Sequence, residues 1–428
     1  MARYRDFDDE LEEEYDEEQD DYRYEEPVRK KTPQNPKTSK NKKKKKRTGL
    51  KVAIIVVEIL VLLALAAVFY VTQKLGKIEY NPINVDDIDN NFAHETVTNE
   101  QGETQTADSS NYQAEVLEGY TNILLLGSDA RDNSIQNLLK TEENHTDSII
   151  IASINNETKE VKLVSIYRDT LLKMVDTKNG GTKYTYDKAT EAMFWFGVES
   201  ALSMVNTCFD LDITDYVMVN WNALIDIIDA VGGIDLEITE DELYWLNAYL
   251  VDTSENTNRT YEEVPAAGYV HLDGIQATAF CRIRYCKTVN GTNDDYGRTE
   301  RQRTVINLLV EKAKKMNLTQ LDAAINSICN NIATSFSADE LISMAMDIAK
   351  YSIGETKGFP FELSYSAGKT IYTDYPYENY KVVDMLVIDD LEKNVSELHE
   401  FLFGVENYEP TAGCKKISEE LNDILGLD

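Results

Sequence analysis

Thr121 to Asp129 reads TNILLLGSD, and Asp147 to Asp169 reads DSIIIASINNETKEVKLVSIYRD. Short runs rich in Ile, Leu and Val, each bounded by turn residues, predict strands. The first strand, Thr121 to Leu126, opens at Gly127-Ser128 into a polar loop with Asp129 at its mouth. The second, Asp147 to Ile154, is joined through the tight turn Asn155 to Thr158 to a third, Val161 to Tyr167, which delivers Arg168 and Asp169 at its end. Working outward, Ala192, Phe196, Leu202 and Val205 recur at helical spacing over 189–208, and Tyr216 to Val219 is a strand. Trp221 to Val231 is a helix stopped by Gly232-Gly233, and Ile234 to Ile238 alternates as a strand. Helices alternate with strands, so the expected class is α/β, a mixed central sheet sandwiched by helices.

The N-terminal part has a different composition. Val52 to Val71, VAIIVVEILVLLALAAVFYV, is an almost unbroken apolar run of the ~20 residues that one bilayer-crossing helix needs. Glu58 is its one charge. Lys42 to Arg47 read KKKKKR, and no acidic residue occurs between Val28 and Lys51, so the positive-inside rule places the N-terminus in the cytoplasm and everything after about Gln73 outside. A cleavable signal peptide is not expected, because the apolar run is long and its leader longer. The expected organisation is a disordered tail over 1–47 (acidic, then Lys-rich), a transmembrane helix over 48–74, and an extracytoplasmic stalk over 75–118. A large domain follows over 119–352, with a strand and helix segment over 353–428 completing or flanking it. The five cysteines show no metal spacing and no disulfide framework. Cys281 and Cys286 would lie on opposite faces of one strand.

In a chain of net charge −33, Ala279 to Gln302, AFCRIRYCKTVNGTNDDYGRTERQ, concentrates guanidinium groups. Arg282 and Arg284 are two apart in an alternating run, which on a strand puts them on one face. Thr299 and Gln302 have capping-box spacing ahead of Val305, Leu308 and Leu309, which would set Arg298 and Arg301 at a helix N-terminus. Arginine forks at a positive helix end suit phosphate oxygens, and the expected guest is a pyrophosphate or polyphosphate. Asp129 and Asp147, from neighbouring strand ends, could hold a hard divalent cation, magnesium or manganese in its place. Lys188 is one further phosphate donor or an ordinary surface lysine. The bulky residues from Ala192 to Val205 are core, or else line an apolar cavity able to take a lipid tail. The ectodomain's acidic balance argues against nucleic acid.

Over roughly Thr121 to Lys315 these pieces, in order, resemble the LytR-CpsA-Psr family of membrane-anchored enzymes of Gram-positive envelopes. They are LLLGSDAR with Asp129 and Arg131, TDSIIIASI with Asp147, LVSIYRDT with Arg168 and Asp169, DKATEA with Lys188, DAVGGIDLEI, HLDGIQATAFCRIRY and DDYGRTERQ. The resemblance implies an α/β sandwich enclosing an apolar tunnel for a polyprenyl chain, with the pyrophosphate at its mouth. It assigns Asp129 and Asp147 to the metal, and Arg131, Arg168, Lys188, Arg282, Arg284, Arg298, Arg301 and Gln302 to the pyrophosphate. His145 stands where the family usually has Arg, and Thr190 where Asn is common.

The implied reaction is a magnesium-dependent phosphotransfer of a glycopolymer, such as teichoic acid or capsule polysaccharide, from polyprenyl pyrophosphate to peptidoglycan through a phosphodiester. Arg298 would neutralise charge, and Asp147 or Asp295 would take the proton of the attacking hydroxyl. Two other functions fit the same residues: a pyrophosphatase using water as acceptor, and a non-catalytic envelope receptor of lipid-linked sugars.

Overall fold

The apolar runs of 120–166 form the middle of a seven-stranded mixed sheet. The computed structural model of the chain describes residues 79–89, 96–98, 104–106, 116–130, 138–179, 183–317, 320, 332–365 and 369–427. The expected tail, membrane span and most of the stalk, together with Arg131 and Cys329, lie outside the described residues. Among those described, no helix is long and apolar enough to cross a membrane.

The sheet strands are β1 (Glu79–Tyr80), β2 (Tyr120–Ser128), β3 (Thr146–Asn155), β4 (Glu160–Ile166), β5 (Asp215–Val219), β6 (Ile332–Thr334) and β7 (Ser352–Phe359). Their spatial order is β1-β6-β5-β2-β3-β4-β7. The β2, β3 and β4 strands run antiparallel as a meander, whereas β5 is parallel to β2 and β7 parallel to β4. Successive side chains leave the sheet on opposite faces. Leu124, Leu126, Ile149 and Ile151 enter one core, and Ile123, Ile150 and Ala152 another.

The first face is closed by α1 (Glu191–Phe196) and α2 (Val198–Phe209). A single helix was expected over 189–208. It is broken at Gly197, whose φ of 97° and ψ of −173° fall in a backbone region nearly exclusive to glycine. The bulky residues of this stretch belong to that closed core, including Met193, Phe196, Leu202 and Val205. The opposite face carries α3 (Trp221–Ala230), α4 (Glu240–Thr257), α5 (Gly274–Phe280) and α6 (Asp294–Ala313). A short α7 (Ala338–Asp347) follows β6. The last helices, α8 (Leu391–Phe403) and α9 (Ala412–Leu425), pack into the first core with residues such as Leu402 and Leu421.

Two expectations about 279–302 are corrected. Arg282 and Arg284 do not lie on a strand. Asp273 and Gln276 form a capping box that starts α5, and residues 281–287 continue from its end as turns and loop. Cys281 and Cys286 therefore do not share a strand; both are buried free thiols, as are Cys208 and Cys414. The second correction concerns α6, which begins at Asp294, so Thr299 is inside the helix and its hydroxyl donates to Tyr296 O. Arg298 and Arg301 are thus interior to α6 instead of flanking its N-terminus.

Candidate active site

Between the sheet and helices α3, α5 and α6 lies a cavity of about 440 Å³. Its walls are apolar: Leu125, Ile150, Val217 and Val219 from the sheet, Leu224 and Ile227 from α3, Val305, Ile306 and Leu309 from α6. None of the lining comes from α1 or α2: of the two expectations for their bulky residues, core or cavity wall, the structure makes them core. At the other end the lining turns ionic, with Asp147, Arg168, Arg282, Arg284, Arg298 and Gln302. A volume in the range of small-molecule sites, about 300–1,000 Å³, with one apolar and one cationic end suits a guest with a hydrocarbon tail and an anionic head.

A β-bulge aims Asp147. Gly127 pairs with Ser148 and Ser128 with Thr146, which leaves Asp147 as the extra residue. Its carboxylate forms a short ion pair with Arg168, and Arg298 Nη1 lies 3.9 Å away. Arg298 Nη2 also donates to the Asp147 carbonyl at 3.0 Å. Burial pushes the Asp147 carboxyl up, but Arg298 and Arg168 outweigh it and hold it below the usual carboxylate range.

Asp295 stands behind the arginines and does not line the cavity. It is buried, with Arg298 Nη2 at 2.7 Å and Arg284 Nε at 3.7 Å from Oδ1. Neither Asp295 oxygen receives an aligned hydrogen bond, and burial pushes this carboxyl up despite Arg298, Arg284 and Arg168. Two carboxylates on the same arginines are therefore shifted in opposite directions.

A third carboxylate, Asp169, gathers cations: Lys188 Nζ at 3.5 Å, Arg168 Nε at 3.6 Å and Arg284 Nη2 at 3.9 Å. It was visible in the sequence beside Arg168 without a role of its own. Arg168, Arg284 and Arg298 each keep a buried Nε with no hydrogen-bond acceptor in the protein. The Nε of Arg168 lies 3.6 Å from Asp169 and that of Arg284 3.7 Å from Asp295, so the carboxylates fix these edges while the side chains line the cavity. The Arg282 guanidinium lies 3.8 Å over the Trp221 ring, donates to Thr253 Oγ1 at 2.7 Å and pairs with Asp252. Gln302 reaches Cys281 O with its amide nitrogen at 3.5 Å, while its oxygen has no donor.

Arg301 is a further correction. It is only 1% exposed and absent from the cavity; its Nε pairs with Glu242 Oε1 at 2.9 Å, and its terminal nitrogens donate to Ile283 O and Cys286 O. Those contacts lock the 281–287 loop to α4 and α6, and they hold Arg301 outside the cavity lining.

Asp129 lies beside Asp147 at the same sheet end. Its backbone N–H donates to His145 O at 3.2 Å, and its Oδ1 accepts from His145 N at 2.9 Å. The His145 ring stacks on Phe194 with centroids 4.4 Å apart and faces Glu191, whose hydrogen bond is the largest influence raising the imidazole above its ordinary 6.5. Carboxylates from adjacent strands supply the oxygen chemistry of a hard cation. No cluster of three or more His, Cys, Asp or Glu side chains able to hold a metal occurs among the described residues. Any cation here would draw its other ligands from water and phosphate, as magnesium commonly does.

Comparison with known proteins follows the same geometry. A polyisoprenyl-teichoic acid–peptidoglycan teichoic acid transferase TagU of Enterococcus faecalis is 30% identical over 229 residues, 53% of this chain and 64% of that protein. The Bacillus cereus protein of the same name is 30% identical over 227 residues, 52% of this chain and 62% of its own length. The chain thus matches less than two thirds of the length of these relatives. The crystal structure of protein gbs0355 from Streptococcus agalactiae shares the fold, with a TM-score of 0.51 and 21% identity over 70% of this chain and 93% of that one. The model of the LytR_cpsA_psr family matches residues 88–382, well over half of the sequence, and the chain belongs to that family.

Proposed function

We propose that this chain is an extracytoplasmic, membrane-anchored phosphotransferase that moves a glycopolymer from polyprenyl pyrophosphate to a peptidoglycan hydroxyl. The observation that carries this reading is the cavity with two characters: an apolar chamber for the prenyl chain, and a lining that includes Arg168, Arg282, Arg284 and Arg298 for the pyrophosphate. The names of the TagU relatives support the choice of donor and acceptor. The apolar run at 52–71 and the lysines before it support the anchor and its orientation.

In this reading Arg168, Arg284 and Arg298 hold the pyrophosphate oxygens, with Arg282 at the rim. Lys188 acts through Asp169. Asp129 and Asp147 would hold magnesium, or manganese in its place, which when bound withdraws negative charge from the phosphates. The acceptor oxygen attacks the phosphorus next to the sugar, and the bond from that phosphorus to the bridging oxygen breaks. The products are a sugar phosphodiester and polyprenyl phosphate. Asp147, which lines the mouth and stays ionised, is placed to take the acceptor proton, while Asp295 behind the arginines orients Arg284 and Arg298. In-line placement and charge neutralisation supply the rest.

The test uses the full-length chain in detergent with a polyprenyl-pyrophosphate sugar, peptidoglycan and magnesium. Polyprenyl phosphate should appear together with glycopolymer bound to peptidoglycan, and omission of peptidoglycan should suppress both. Release that is independent of acceptor makes the protein a pyrophosphatase; binding without release makes it a receptor.

A further inference from the structure

A second recess, of about 830 Å³, is lined by β4, α6, β7 and α8 and shares no residue with the apolar cavity. Helix α6 serves both. Arg298, Gln302, Val305 and Leu309 face the cavity, while Tyr296, Glu300 and Arg303, at i, i+4 and i+7, face the recess. Just past the end of β4 the arrangement repeats between neighbours: Tyr167 lines the recess and Arg168 the cavity mouth. The Tyr167 and Tyr296 rings, both in the recess lining, meet edge to face with centroids 4.6 Å apart.

Arg303 is the informative residue. It is only 8% exposed, yet its Nε and Nη1 have no acceptor in the protein, and it makes no ion pair within 4 Å among the described residues. Burying a guanidinium without a partner is costly, and such a cost is offset when an anion enters. The other cations of the recess are engaged: Lys162 Nζ donates to Phe401 O at 2.7 Å, and Lys357 Nζ lies 4.5 Å from the Phe401 ring centroid. Against the three bases stand four acids, Glu300, Glu355, Glu397 and Glu400. That balance repels a polyanion such as a phosphate polymer and admits a ligand carrying both carboxylate and ammonium. The aromatic faces of Tyr296, Phe361 and Phe401 suit the C–H faces of sugar rings.

We propose that this recess is the acceptor subsite, holding a peptide-bearing glycan with a peptide carboxylate on Arg303 and a sugar hydroxyl led past Tyr167 and Tyr296 toward Arg168 and Arg298. The proposal rests on the transferase reading above, and its experiment separates the two.

Binding of a soluble disaccharide-peptide fragment of peptidoglycan, and of the same disaccharide without its peptide, is measured on the full-length chain and on Arg303→Met. The peptide-bearing fragment should bind at least tenfold more weakly to the variant, and the peptide-free disaccharide equally to both. In transfer assays Arg303→Met should raise the acceptor KM about tenfold and leave kcat within a few-fold. The variant loses a buried charge without a partner, so its Tm should hold or rise. Should it fail to fold, Arg303→Lys, which keeps the charge and loses the planar fork, should bind the fragment at least threefold more weakly. Equal affinity of wild type and variant for the peptide-bearing fragment overturns the proposal. So does Arg303-dependent binding of glycerol phosphate without binding of the fragment. Arg303-dependent binding by a chain that transfers nothing removes the transferase reading and keeps the subsite.

Discussion

One turn of α6 separates Arg298 from Arg301 and reverses their surroundings. Arg298 lines the cavity mouth against Asp147 and Asp295; Arg301 is sealed against Glu242. Arg301→Ala leaves a buried carboxylate without its partner and should destabilise the fold by about 3–5 kcal/mol. Chemical denaturation measures this, and Glu242→Leu combined with Arg301→Met should recover most of the loss. Arg298→Ala should instead lower kcat by roughly 10²–10³, with a smaller loss of stability because Asp295 can take up a proton. An Arg301→Ala protein as stable as wild type would refute this division. The sequence could not make it: Glu242 is 59 positions away, and only tertiary packing buries the pair.

At the scale of elements, β2, β3 and β4 were legible because short runs of Ile, Leu and Val bounded by turn residues mark strands buried on both faces. Alternation misled at 279–285, where A-F-C-R-I-R-Y alternates but α5, started at Asp273, runs into a loop held by Arg301. The cavity itself was legible only as a possibility of composition, since its walls come from elements far apart in sequence. Helix α3 offers the cleanest probe. Leu224 is an apolar residue of the chamber lining, so Leu224→Trp should fill space there. A long polyprenyl pyrophosphate should then bind at least tenfold more weakly, while a short-chain analogue binds as before and Tm does not fall. Equal loss for both chain lengths, in a binding titration, would show that the chamber does not hold the prenyl chain.

Across the whole molecule the two faces of the sheet differ in kind: one opens on the chamber, and the other is a closed core sealed by the C-terminal helices. His399 of α8 lies in that closed core, 2% exposed, stacked on Tyr408 with centroids 3.7 Å apart, its Nε2 3.0 Å from Phe209 O at the end of α2. As the neutral imidazole it donates there. Burial pushes its pKa down from 6.5 to about 4, despite the backbone carbonyls of Phe209 and Asp210. The linkage has a definite sign. Above pH 6.5 neither state protonates, and the closed core keeps its full stability. Between 6.5 and about 4 the unfolded chain binds a proton that the folded chain refuses, so stability falls as pH falls and levels below about 4. A shift of that size corresponds to about 3 kcal/mol, at ~1.4 kcal/mol per unit. His399→Gln keeps a donor and removes the titration, so denaturation midpoints measured from pH 7 to 4 should fall less steeply for the variant than for wild type. Parallel pH profiles would mean that acid unfolding begins elsewhere and that the seam between α2 and α8 does not govern it.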